Sequence, residues 1–291
     1  MSKLQKILFI INPVSGVGRQ KIVESAIEKC LNKSKFSFEI AYTEYVNHAF
    51  EIASAKKNHE VDIIAVVGGD GSVNEVAKAL KNSNVCLAII PTGSGNGLAL
   101  HLGIPTDVEK AVQSLNTFGP QKIDTCMLGE HFFVGTAGIG FDGLISHKFA
   151  QSKKRGFWTY VKTTVREYFK FKPFKISLTI DNKVISQEVM FVTFANSRQF
   201  GNNAIISPLS KSNDGIIEIC VMKKHNMFKY LWLGILLFTR KVHKSSLVKY
   251  YPIQSAFVEA ECQYTHIDGE PIQVQGKNKV EVYPNSLKVL C

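Results

Sequence analysis

The 291-residue chain is short of acids: 24 Asp and Glu stand against 35 Lys and Arg, for a formal net charge of +11. With a pI of about 9.3, it suits a polyanionic partner, whether a nucleotide, a nucleic acid or an anionic membrane surface. Charge alone does not choose among these. The six cysteines (Cys30, Cys86, Cys126, Cys220, Cys262, Cys291) include no Cys-x-x-Cys pair. This argues against a thiolate metal site or a disulfide framework and for core thiols in a reducing cytoplasm. No run reaches the ~18 apolar residues of a membrane span. Residues 7–11 follow Lys3 and Lys6 as a signal peptide would start, but the run is short and Asn12-Pro13 ends it. The expectation is a cytoplasmic protein, soluble or peripheral to the inner face of a membrane. There is no GxxxxGK[ST], no HExxH and no GxSxG, which excludes P-loop, zincin and serine-hydrolase chemistry in their usual forms.

What is present is ordinary for a folded chain: 45% hydrophobic and 20% charged residues, enough for one large domain or two of usual size. In residues 1–122, apolar strand-like runs at 7–11, 36–43, 63–67 and 85–90 alternate with helical spacing at 19–33, 49–57, 73–80 and up to 116. Thr106 with Glu109 reads as a capping box. This alternation predicts a doubly wound parallel α/β sheet, whose ligands bind beyond the carboxyl ends of the strands. Three glycine-bearing loops, 12–18, 68–72 and 92–97, lie at those ends. Past Gly119-Pro120 the segments shorten and alternate, and Asp181-Asn182 and Pro284-Asn285 read as hairpin turns. Residues 123–291 are expected to form a β-sandwich.

The chain is organised around Val66-Val67-Gly68-Gly69-Asp70-Gly71-Ser72-Val73-Asn74-Glu75. A buried strand ends in glycines and a helix begins, with Ser72 and Glu75 spaced as a capping box. Helix N-termini present N–H groups and favour anions. The glycines allow positive φ and close approach of a phosphate. An acid beside a phosphate repels it unless a cation intervenes, so Asp70 argues for Mg²⁺ or for proton transfer. An ordinary strand-to-helix turn is the alternative.

Elsewhere, Asp268-Gly269-Glu270-Pro271 is either a turn or a pair of acids able to take a proton from a hydroxyl. Asp214-Gly215 is either a turn or an oxygen-ligand Mg²⁺ site. Gly138–Gly143 matches GxGxxG without a βαβ context, a weak dinucleotide signal. Two basic, aromatic-rich stretches, 147–175 and 223–249, fit an anionic bilayer, single-stranded nucleic acid or plain core-packing helices with solvated basic faces.

Asn12-Pro13-x-Ser15-Gly16, Gly68-Gly69-Asp70-Gly71-Ser72-x-Asn74-Glu75 and Pro91-x-Gly93-Ser94-Gly95-Asn96 together resemble the diacylglycerol kinase catalytic domain family, which includes soluble bacterial diacylglycerol kinases and sphingosine kinases. The resemblance continues through Asp124, Gly138-x-Gly140-Phe141-Asp142, Asp214-Gly215 and Asp268-Gly269-Glu270. It implies an α/β nucleotide domain followed by a β-sandwich, with the active site in the cleft between them. It further implies ATP- and Mg²⁺-dependent phosphorylation of a lipid hydroxyl. By position, Asn12, Pro13, Val14, Ser15 and Gly16, with Gly68, Gly69, Asp70, Gly71, Ser72, Val73 and Asn74, would cradle the nucleotide phosphates. Thr43 and Ser94 would add nucleotide contacts. Glu270 would be the general base and Asp70 would act through Mg²⁺. Asp214 with the carbonyls of Lys211 and Ile216 would hold a structural Mg²⁺, and Asp124 would support the network.

Many bacterial diacylglycerol kinases carry Gly-Thr-x-Asn-Asp-Phe where this chain has Gly93-Ser94-Gly95-Asn96-Gly97-Leu98. That leaves diacylglycerol, sphingosine and ceramide open as substrates. A soluble-substrate kinase of the NAD kinase type and a non-catalytic lipid-binding protein are the competing readings. The expected partners are ATP and a lipid in an anionic membrane surface, with no nucleic acid. A homodimer is compatible with the sequence.

Overall fold

The computed structural model describes residues 4–15, 20–57, 61–152 and 157–291. Gly16 and the cations Lys153, Lys154 and Arg155 lie outside the described residues, as do the side chains of Phe157, Trp158 and Tyr160. The chain divides into two compact units, 1–123 with 285–291, and 124–284.

In the first unit, β1 (Gln5–Ile11), α1 (Gln20–Cys30), β2 (Phe36–Tyr42), α2 (His48–Lys56), β3 (Ile63–Gly68), α3 (Asp70–Leu80), β4 (Cys86–Pro91), α4 (Gly97–His101) and α5 (Val108–Ser114) follow in order. The four strands are parallel, in the order β2-β1-β3-β4. Every residue of β3 is buried, because a parallel sheet covered on both faces has no solvent side to call for alternation. Ile7, Phe9 and Ile11 pack with Val23, Ile27 and Leu31 of the α1 region and with Ala111 and Val112 of α5. The intervening Leu8 and Ile10 are just as buried.

The second unit holds β5 (Pro120–Leu128, entering from the first unit), β6 (His131–Phe133), β7 (Thr136–Gly140), α6 (Phe141–Ala150), α7 (Phe157–Tyr168), β8 (Phe174–Ile180), β9 (Lys183–Val189), β10 (Phe191–Ala195) and β11 (Ile217–Met222). There follow α8 (Met227–Phe238), β12 (Val248–Ile253), β13 (Ser255–Ala260), β14 (Thr265–Ile267), β15 (Glu270–Ile272) and β16 (Lys277–Leu290). One antiparallel sheet runs β12-β11-β10-β7-β14-β15. The other runs β16-β13-β8-β9, with β5 and β6 alongside. Inner-face residues such as Ile139, Phe194 and Ile219 from the first sheet share a core with Leu178, Val258 and Val280 from the second. This is the α/β-plus-sandwich architecture that the sequence predicts.

Several local expectations change. Asp181 and Asn182, both at positive φ, turn β8 back into β9. Pro284-Asn285 makes no hairpin: β16 runs straight through it, with Asn285 at φ 52° as a left-handed residue inside the strand. That strand carries residues 285–291 into the first unit, where Val289 pairs in parallel with Leu87 of β4. The α5 cap is Asp107, whose carboxylate accepts from Lys110 N–H at 3.0 Å, rather than Thr106. Glu109 instead meets Lys29 at 3.3 Å on the surface. The glycines of 138–143 serve packing: a Cβ on Gly138 would lie 2.1 Å from Asp142, and one on Gly143 2.4 Å from the Tyr264 carbonyl.

Candidate functional site

In the first unit the loops after β1, β3 and β4 are tied to one another by short polar contacts. Asn12 Nδ2 donates to Ser72 Oγ at 3.0 Å, and the Ser15 and Thr92 hydroxyls share a hydrogen bond of 3.1 Å. Backbone N–H groups of Asn12 and Thr92 reach the carbonyls of Val67 and Gly68. Thr43, at the end of β2 and buried, donates its N–H to Ile11. Parallel strands deliver these residues to one edge because every strand points the same way. Pro13 and Val14 form the outer part of the first loop, Val14 fully out in solvent, with its N–H on Asn12 Oδ1 at 3.0 Å.

Gly68 and Gly69 are not at positive φ. A Cβ on Gly68 would meet Ser72 Cβ at 2.6 Å, and one on Gly93 would meet the Gly69 Cα at 2.5 Å. Glycine is needed there because two loop backbones touch, not because the chain turns left-handed. Helix α3 starts one residue after Gly69, which caps it without a side-chain bond. Ser72 therefore sits inside the first turn, and the Ser72/Glu75 capping box does not form. Glu75 caps the neighbouring α2 instead, accepting from Asn47 and Ala49 N–H at 2.8 and 3.1 Å. Val73 is buried and its N–H is spent on Gly69 within the helix.

Asp70 also has a structural duty that the sequence hides. Its Oδ1 accepts the Gly97 N–H at 2.7 Å, and a Cβ on Gly95 would lie 2.8 Å from its other oxygen. The carboxylate thus joins the loop after β3 to the start of α4. Its presence beside glycines no longer demands a cation for its explanation. Asn96, at φ 52°, donates Nδ2 to the Gly93 carbonyl at 2.9 Å, while its buried Oδ1 has no partner among the described residues. Ser94 is exposed. Thr92 and Asn96 are members of this cluster to which the sequence assigns no role, Asn96 standing only within the Pro91–Asn96 motif. The signal for Thr92 is only that it shares a loop with Ser94.

In the second unit, Asp124 is fully buried and its Oδ2 accepts the N–H of Gly215 at 2.7 Å. Its own N–H reaches the Ser212 carbonyl. Asp124 thereby fixes the 211–216 segment that carries Lys211, Asp214 and Ile216. Asp214 is exposed; its Oδ1 accepts the Ile216 N–H at 3.1 Å, and its other oxygen has no bond among the described residues. Burial pushes the Glu218 carboxyl upward, and the charge of Asp214 adds to that. A hard, oxygen-rich corner of this kind suits a divalent cation. No group of three or more His, Cys, Asp or Glu side chains among the described residues forms a metal cluster, so carbonyls would have to complete the shell.

Asp268 and Glu270 separate cleanly. Asp268, at φ 48°, accepts three backbone N–H groups, from Val134, Gly135 and Thr136, at 3.0, 2.8 and 2.9 Å. It is a cap, and both its oxygens are committed. Glu270 opens β15, paired there with Ile267; its side chain is exposed and makes no hydrogen bond or ion pair among the described residues. Gly269 N–H donates to Nδ1 of the buried His266 at 3.3 Å. Nε2 lies 3.4 Å from Asp142 Oδ2, which also accepts from Thr193 Oγ1 at 2.8 Å. This chain of contacts ties the Asp268–Glu270 turn to α6 and β10, a link that no local pattern in the chain announces.

Residues 6–128 match the diacylglycerol kinase catalytic domain, and residues 135–291 match the YegS C-terminal NAD kinase beta sandwich-like domain. A diacylglycerol kinase of Mycobacterium tuberculosis is 26% identical over 240 residues, covering 79% of this chain and 77% of its own. The diacylglycerol kinase of Bacillus subtilis is 27% identical over 240 residues, covering 78% and 77%. The crystal structure of a diacylglycerol kinase from Bacillus anthracis covers all of this chain and 98% of its own, with a TM-score of 0.74 at 21% identity, a likeness of fold alone. With parallel-strand loops locked together in its first half and a two-sheet sandwich in its second, the chain belongs to the lipid kinase family that joins a diacylglycerol kinase catalytic domain to a YegS-type β-sandwich.

Proposed function

We propose that this chain transfers the γ-phosphoryl group of ATP to the hydroxyl of a membrane lipid, diacylglycerol or a sphingosine- or ceramide-like alcohol, with Mg²⁺. The observation that carries the reading is the mutual locking of the three loops at the carboxyl ends of β1, β3 and β4 through Asn12–Ser72, Ser15–Thr92 and Gly69–Gly93. Phosphoryl transfer is mainly positioning and neutralisation of charge, so loops fixed in advance are what the chemistry asks for.

In this reading the polar atoms of residues 12–16, 68–74, Thr43 and Ser94 hold the nucleotide. Val73 contributes only by packing, since its N–H is already used. Mg²⁺ would neutralise charge on the triphosphate. Asp70 faces that role already committed to Gly97 by one oxygen, and its first task is to hold the β4 loop against α3. Lys211, Asp214 and Ile216 fit a second, structural Mg²⁺ through one carboxylate and two carbonyls. Glu270 takes the proton of the lipid hydroxyl, a role for which an exposed carboxylate without partners is available.

The test is the purified protein with radiolabelled ATP, Mg²⁺ and mixed micelles of diacylglycerol, sphingosine or ceramide, with NAD in a parallel tube. A labelled lipid phosphate is expected. Label on NAD and on no lipid would give the chain to the soluble-substrate class, and label on nothing would leave a binding protein.

A further inference from the structure

Helix α8 presents an apolar face to water. Phe228, Leu231, Trp232, Ile235 and Phe238 are 83, 51, 53, 52 and 46% exposed. Their spacing puts all five on one side of the helix. The opposite side, with Leu233 and Leu236, is buried in the core of the second unit. Stability is no reason to keep such a stripe, since exposed aromatics and leucines bring none, and contiguous apolar surface of this kind marks an interaction site.

The surroundings of the stripe say what covers it. No acid occurs between Glu218 and Glu259, while Lys229, Arg240, Lys241, Lys244 and Lys249 are all exposed in that interval. Lys229 lies on α8 beside the stripe, and Arg240, at φ 61°, turns the chain just past its end. At the other end Tyr230 meets Tyr168 of α7 with ring centroids 4.5 Å apart. The neighbouring Phe169 is 69% exposed, with Lys170 and Lys172 beside it in solvent. An aromatic and aliphatic face whose flanking chain carries exposed cations and no acid is complementary to a surface that is apolar inside and anionic at its rim. A second copy of this chain would bring two cationic rims together, which costs affinity. Twelve residues make a helix about 18 Å long, against about 30 Å of hydrocarbon, and no helix among the described residues is long and apolar enough to cross a membrane. Helix α8 would therefore lie in the plane of the interface.

We propose that α8 is the membrane-docking element, seating Phe228, Leu231, Trp232, Ile235 and Phe238 at the headgroup boundary of an anionic bilayer with the cations of 229–249 on its phosphates. This rests on the lipid-kinase reading, because it supplies the surface on which a lipid alcohol is met. The helix is outside the candidate nucleotide loops and outside the Asp268–Glu270 turn, so docking and transfer separate experimentally.

The experiment sediments the full chain with phosphatidylcholine vesicles, with and without 30% phosphatidylglycerol, in the absence of ATP. Transfer is measured separately, on short-chain diacylglycerol, sphingosine and ceramide in detergent micelles. Binding is expected only with the anionic vesicles. It should fall about tenfold or more in Trp232→Ser/Ile235→Ser and to a similar degree in Lys241→Glu/Lys244→Glu or in high salt. In a Trp158→Phe background, Trp232 fluorescence should be quenched by bromolipid. Micellar transfer should be unchanged in all these variants. Equal vesicle binding by wild type and variants overturns the docking assignment, as does absence of quenching. So does a concentration-dependent dimer that Trp232→Ser/Ile235→Ser dissolves, which gives the face to a second copy. If wild type binds anionic vesicles through α8 but transfers to no lipid, docking stands and the kinase reading fails.

Discussion

The loop cluster of the first unit and two acid-centred turns of the second use polar residues in different ways. In the first, the loops after β1, β3 and β4 are held to each other by neutral groups, an amide to a hydroxyl and a hydroxyl to a hydroxyl, and by glycine backbones in contact. In the second, turns are held by carboxylates on backbone N–H groups: Asp124 on Gly215, Asp268 on three successive N–H groups. Neutral ties add no charge of their own to the loop cluster. Charged caps are stronger, since a hydrogen bond to an ionised acceptor is worth more, and they suit turns that must present a group precisely. Asp70 is the exception that joins the styles, a carboxylate cap on Gly97 inside the otherwise neutral cluster. The lesson is that an acid beside a glycine is a cap until its partners are counted. Of the candidate site acids, Glu270 and one oxygen of Asp214 carry no hydrogen bond among the described residues.

This contrast can be broken in four places. The largest effect belongs to Glu270→Gln, which should lower turnover by about 10²–10⁴-fold, with stability changed by less than about 0.5 kcal/mol because the side chain is exposed and unpaired. ATP binding, measured by calorimetry, should hold. Lost ATP binding would return Glu270 to a structural part. Next, Asp268→Ala strips three N–H groups of their acceptor and should cost about 3 kcal/mol in urea unfolding. If it costs nothing, the charged-cap account of the second unit fails.

Third, Gly93→Ala forces a methyl to 2.5 Å from the Gly69 backbone. We expect about 1–3 kcal/mol of destabilisation and weaker nucleotide binding, whereas a silent substitution would mean the loops are not packed together. The smallest effect is Glu218→Gln. Burial and Asp214 raise the native carboxyl above its unfolded value. The wild type is therefore favoured below the unfolded pKa and loses that advantage as pH rises through the raised native one. The glutamine variant should show a flatter stability profile over that window, read by thermal unfolding at several pH values. An unchanged profile would remove Glu218 from the acidic corner.

Much of this was legible beforehand. Residues 63–67 read as a buried strand because parallel sheets leave no polar face, and Asp181-Asn182 read as a turn because both residues tolerate positive φ. Capping is not legible at Ser72 and Thr106, where the spacing fits but Gly69, three residues before, and Asp107, one residue after, take the cap. Helix starts are decided by small local differences that a pattern does not resolve. The basic stretch at 223–249 is legible in the sequence, whereas which side of α8 joins the core and which apolar side stays exposed is not.

The sequence by itself determined the period of each segment, and with it the parallel α/β half, the sandwich half and the three loops at the strand ends. These follow from side-chain shape and spacing, which act over a few residues. The tertiary structure decided which acids are caps and which are free, and it returned residues 285–291 to the first unit. Asp268 meets Val134 across 134 residues of chain and Asp124 meets Gly215 across 91. A contact of that span leaves no local trace, because the backbone N–H it satisfies is the same in every residue type but proline. The loop at Gly68–Ser72 was found from its letters. Its meaning came from what Asn12, Gly93 and Gly97 bring to it.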